Sequence, residues 1–144
     1  MKWPHMLAAA ALLALAATPG SAESLPMDRP IVIDGIATVC TGIGQAEQTD
    51  LRWKAYPIRV EFANSGMQYL AGAHVELKDA HGRTLVTLDC AGAWVLFQLP
   101  AGQYTVTATL PDYPDEPARG ASFSPPATGQ KRVVLEFPGI KPNQ

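Results

Sequence analysis

From Pro57 onward the chain alternates apolar and polar residues with a period of two. Tyr104, Val106, Ala108 and Leu110 fall on one side, and Thr105, Thr107 and Thr109 on the other, the pattern of a half-buried strand. Ile58, Val60 and Phe62 alternate with Arg59 and Glu61, and Val75 and Leu77 alternate with His74, Glu76 and Lys78. Asp79-Ala80-His81-Gly82 then reads as a hairpin turn, after which Thr84 to Cys90 pairs back. Ala93 to Leu99, Gln103 to Leu110, an edge strand at Ala121 to Ser124, and Lys131 to Phe137 complete the series. Upstream, Ile31 to Ala37 offers a first strand, and Cys40 to Gly44 reads as a loop. Seven or eight short strands with turns every eight to twelve residues predict an all-β fold, an antiparallel seven- or eight-stranded β-sandwich.

One segment departs from that period. Between Gln45 and Tyr56, Leu51 and Ala55 lie one helical turn apart with Trp53 beside them. Thr49 or Asp50 can cap the segment and Pro57 ends it, which predicts one short helix in the leading segment. Residues 23–30, ESLPMDRP, read as a flexible leader, and 138–144 as a flexible tail, leaving 31–137 as the domain. PDYPDEPARG, from Pro111 to Gly120, reads as an exposed connection.

Two pieces carry a family likeness: LAGAHVELKDAHGRTL and the P-x-G-x-Y-x-V corner in LPAGQYTVTA. They resemble carboxypeptidase regulatory-like domains, which are related in fold to transthyretin and Cna-B modules, and the likeness covers roughly 58–137. The resemblance implies a small sandwich that serves as a scaffold or interaction module. The segment CTGIGQAEQTDLRWKAYP is also similar to the leading part of small exported bacterial proteins carrying this domain.

The N-terminus reads as an address. Lys2 and His5 precede an apolar run from Met6 to Ala17, then Pro19 and Gly20-Ser21-Ala22, a secretory signal peptide over 1–22 with cleavage expected near Ala22. About twelve apolar residues fall short of the roughly twenty that span a bilayer, so no stable membrane anchor is expected. Periplasmic or secreted localisation follows. Removing 1–22 takes Lys2 and no acid from 11 basic and 13 acidic residues, moving the formal charge from −2 to about −3. That balance gives no footprint for nucleic acid. Cys40 and Cys90, both in the exported part, are expected to form a disulfide. A buried free Cys90 with an exposed Cys40 is the alternative.

No catalytic, cofactor or metal site emerges from the motifs. His74 and His81 lack a third ligand nearby, Gly42-Ile43-Gly44 lacks a phosphate-loop lysine, and no serine sits in a G-x-S-x-G elbow. The chain ends Lys141-Pro142-Asn143-Gln144, not in the Tyr-Arg-Gly-Ser of transthyretin-like hydrolases. Asp112, Asp115 and Glu116 could offer oxygens to calcium, but without a regular ligand spacing.

The strand AWVLFQL is apolar on both faces, with Trp94 and Leu96 on one and Val95, Phe97 and Leu99 on the other. A sandwich strand has one face for the core, so its second face is either covered or used. The cover would be the Gln45 to Tyr56 segment, lying across Trp94 through Leu51 and Trp53 and stapled by the disulfide. The functional alternative is a partner-binding patch of Trp53, Trp94 and Leu96. The expected function is therefore a non-enzymatic exported module that binds protein or cell-envelope components. The second expectation is a small-molecule or carbohydrate binder stacking on Trp53, Trp94 and Tyr69.

Overall fold

The computed structural model describes residues 22–143, so the signal-peptide expectation over 1–22 lies almost wholly outside the described residues. Ten strands are described: β1 (Glu23–Ser24), β2 (Ile31–Ile33), β3 (Ile36–Thr41), β4 (Ile58–Ala63), β5 (Ala73–Asp79), β6 (Thr84–Cys90), β7 (Trp94–Phe97), β8 (Tyr104–Thr109), β9 (Arg119–Phe123) and β10 (Lys131–Glu136). Between β3 and β4 lie one turn of helix, α1 (Gln45–Gln48), and a 3₁₀ segment, Leu51–Ala55. The strands form two five-stranded sheets, ordered β1-β6-β5-β8-β9 and β10-β4-β7-β3-β2.

The alternation read from the sequence becomes the inner faces of these sheets. Val75, Leu77, Val86, Leu88, Val106 and Ala108 from the first meet Ile58, Val60, Phe62, Val95, Phe97 and Leu135 from the second in one core. Burying such side chains contributes about 1.5–3 kcal/mol each, which is what holds two sheets face to face.

The fold is all-β as expected, but it has ten strands, not seven or eight, and it is not purely antiparallel. β1 runs parallel to β6, and β10 runs parallel to β4 from Lys131↔Ile58 to Glu136↔Ala63. Each parallel partner reaches its place by a long path through the other sheet, the crossover that parallel pairing demands. Alternation within a strand reports its buried face and leaves its direction open.

The first strand is also two strands. Asp34 and Gly35 both have positive φ, 48° and 81°, and close a tight hairpin that pairs Ile33 with Ile36 and Ile31 with Thr38. Both central residues with φ above zero define the hairpin turn that favours Asp-Gly. β3 then continues through Cys40 to Thr41, where a loop was expected. Cys40 consequently sits inside the second sheet, and its disulfide to Cys90 at the end of β6 joins sheet to sheet instead of tying a loop down.

Residues at both ends of the described chain contact the sheets. Leu25 is buried in the core, Asp28 N–H donates to the Cys40 carbonyl at 2.8 Å, and the Thr41 hydroxyl donates to Asp28 Oδ1 at 2.6 Å. In the tail, Ile140 joins the core, while Asn143 N–H donates to Gln68 Oε1 at 2.9 Å.

Candidate functional site

The outer face of the second sheet carries the residues that the sequence marks for a partner. β7 sits at the centre of that sheet, between β4 and β3, so Trp94 and Leu96 project from the middle of its outer side. Leu96 and Val39 pack beneath Trp53, and Tyr56 closes their edge with its ring 6.2 Å from that of Trp53. Gln130 fastens this cover, its Nε2 donating to the carbonyls of Trp53 at 2.8 Å and Tyr56 at 3.0 Å.

Trp94 is covered separately. Gly42 lies so close that a Cβ there would stand 2.6 Å from Trp94 Cγ, Tyr69 meets the indole edge-on at 5.7 Å, and the Arg59 guanidinium lies 4.2 Å from the ring centre. Trp53 and Trp94 are each 3% exposed and Leu96 is fully buried, so these three residues do not form a free surface. The expected cover is present in altered form. Trp53 lies over Leu96 and Val39, not over Trp94, and Leu51 points to solvent at 73% exposure. In a 3₁₀ turn of three residues, Leu51 shares its side with Lys54 and cannot share it with Trp53.

Beside Trp94 stands a group that the alternation of β4 conceals. Glu61 occupies an outward position yet is fully buried, with Oε1 accepting from Tyr69 Oη and Arg132 Nη2, each at 2.8 Å, and Oε2 from Arg59 Nε at 2.9 Å. Burial raises the Glu61 carboxyl, but hydrogen bonds from Arg132 and Tyr69 and the charges of Arg59 and Arg132 outweigh it, leaving it below the usual range. Burial and the Glu61 carboxylate raise the Tyr69 phenol. Both oxygens are engaged, so the group works as a tie between β4, β10 and the loop before β5. Sequence reasoning missed it, because Arg59, Glu61 and Arg132 each look like solvated positions on their own strands.

The two histidines lie apart in role. His74 Nδ1 is 2.8 Å from Asp89 Oδ1 across β5 and β6, whereas His81 sits in the exposed turn where its N–H donates to Asp79 Oδ1. The acidic loop lines a shallow groove of about 470 Å³ that includes Asp112, Asp115, Glu116 and Lys141. Among the described residues no group of three or more His, Cys, Asp or Glu side chains is placed to hold a metal ion.

An open strand edge remains. β6 pairs with β5 from Thr84 to Cys90 except at a bulge that skips Leu85, but on its other side β1 meets only Leu88 and Asp89. Thr84–Thr87 has no strand partner there among the described residues. A groove of about 610 Å³ runs along this edge, bordered by Val32, Ile33 and Asp34 of the β2 hairpin and by Glu23. Leu25 N–H donates to the Asp89 carbonyl, which shows that the backbone of Asp89 faces β1. Every second residue of a strand turns its backbone groups the same way, so Thr87 presents its groups to the groove; Leu85 is the extra residue of a bulge between Val86 and Thr84, and beyond it Arg83, whose carbonyl accepts from Asp79 N–H, leaves Thr84 facing the groove.

Scanned against protein-family models and against curated proteins, the chain matches none. No helix among the described residues is long and apolar enough to cross a membrane.

Proposed function

We propose that the chain is a non-enzymatic, exported β-sandwich of the carboxypeptidase regulatory-like kind that binds protein or cell-envelope components as an accessory module. The observation that carries this reading is the edge of β6, unpaired among the described residues, beside the exposed β2 hairpin, in a molecule whose other apolar face is closed by its own chain. Unpaired strand edges are templates for another polypeptide. Export is supported by the disulfide, which persists in oxidising compartments, and by the N-terminal pattern of charge, apolar run and small residues.

The carbohydrate reading is weaker, because of its three aromatic residues only Tyr69 reaches solvent, at 37% exposure. A pull-down from envelope extract with residues 23–144, run beside a glycan array, tests the order. Protein recovered without glycan hits supports the accessory module. Glycan hits without protein would install the carbohydrate binder instead.

A further inference from the structure

Resting on the reading above, we infer that Thr84–Thr87 of β6 takes up an extended, basic segment of a partner polypeptide as an added strand. Three features of the edge support this.

The first is precedent within the molecule. β1 already adds to this same edge in parallel register, Glu23↔Leu88 and Ser24↔Asp89, so the edge accepts a strand without rearrangement. An incoming strand in the same direction would meet Thr84 and Thr87 on either side of the bulge at Leu85 and end where β1 begins. Four residues of β6 span about 13 Å, enough for one short strand of a partner.

The second is shape. The β2 hairpin borders the groove, with Val32 71% exposed, so the site offers an apolar side chain next to a free backbone edge. A single strand fits such a trough, whereas a second copy's broad sheet would meet the hairpin first.

The third is charge. Glu23 and Asp34 bring acidic side chains to the groove, and since cleavage near Ala22 leaves the Glu23 ammonium beside its carboxylate, Asp34 carries the net charge. The adjacent cation, Arg83, is held by Asp79, Nε to Oδ2 at 3.0 Å. Complementarity therefore favours lysine or arginine in the occupant.

The test uses the full chain in its own cells, with photoreactive benzoylphenylalanine replacing Thr84, Thr87, Leu51 or Met67 in turn, and adducts mapped by mass spectrometry. Adducts to another protein from positions 84 and 87, absent from 51 and 67, are expected, with the residue joined from 84 preceding that joined from 87. Val32→Lys should lower the position-84 yield on the order of fivefold, and Val32→Glu should not. Thr87→Pro, which removes a groove-facing N–H, should abolish the position-84 adduct where Thr87→Ala keeps it. If Thr87→Pro fails to fold, the Val32 pair decides. Reversed order, equal effects of the two Val32 variants, or adducts to residues 1–21 of the same chain would each overturn the inference. Adducts from 51 or 67 alone would sink it while leaving a binding module, and no protein adduct from any position would sink the proposed function itself.

Discussion

Arg132 on β10 stands opposite Arg59 on β4, yet its Nη2 reaches two residues along the partner strand to donate to Glu61 Oε1 at 2.8 Å. Like charges facing each other across a strand pair repel. The buried carboxylate between them turns that repulsion into a clasp on the last strand.

Removing one partner of a buried ion pair costs more than the pair itself contributes. Arg132→Met is expected to destabilise the fold by about 1–3 kcal/mol, less than a sole partner's loss, because Arg59 and Tyr69 still hold the carboxylate. Urea denaturation followed by tryptophan fluorescence measures it. An unchanged midpoint would show that the clasp is dispensable.

Acid should release the same clasp. Glu61 titrates near 4.5 when unfolded and lower when folded, so below that value the unfolded chain binds more protons and stability falls with pH. Asp79, lowered from 3.8 by hydrogen bonds from the Arg83 and His81 backbone and from the Arg83 side chain despite the opposing effect of burial, adds to the slope further down. Thermal melts between pH 6 and pH 3 should show a shallower decline in Glu61→Gln than in the parent, from a lower starting point.

The inter-sheet disulfide closes a loop with a sequence separation of 50. On the chain-entropy account its reduction costs about 4 kcal/mol. A melting temperature that did not move with a strong reductant, or in Cys40→Ala/Cys90→Ala, would contradict that contribution.

Gly42 has φ +93° and no space for a Cβ against Trp94. Gly42→Ala should cost about 1–3 kcal/mol from backbone strain and overpacking together. Gly82→Ala makes a useful comparison, since it has a positive φ of +77° but nothing within 4 Å of its Cβ position. The difference between the two variants reads the packing part alone.

The cover over the second sheet predicts two unequal neighbours. Trp53→Ala should lose about 3–5 kcal/mol, while Leu51→Ala should stay within roughly 0.5 kcal/mol. In residues 23–144 both remaining tryptophans are buried, so acrylamide should quench the native protein far less than the unfolded one. Easy quenching in the native state would return Trp94 to the surface.

Periodicity reached as far as it physically could. The two-residue alternation of β8 named Tyr104, Val106, Ala108 and Leu110 as core, and all four are buried there. The second apolar face of β7 called for a cover or a use, with the cover expected across Trp94; the segment that changed period supplied Trp53, which lies over Leu96 instead. The Asp34-Gly35 turn was also written locally, as a dipeptide that tolerates positive φ twice, but the apolar residues flanking it masked it as one continuous strand.

What determines each strand's buried side is carried by its own residues, because burial acts on every second position whatever the neighbours are. Partnership is different: whether β10 lies parallel to β4, whether Cys40 stands in a sheet or a loop, and whether Glu61 meets two arginines and a tyrosine depend on residues up to 73 positions apart. The open edge at Thr84–Thr87 belongs to the same class. A backbone without a partner looks like any other stretch of chain until the packing of the two sheets fixes which strands run out of neighbours.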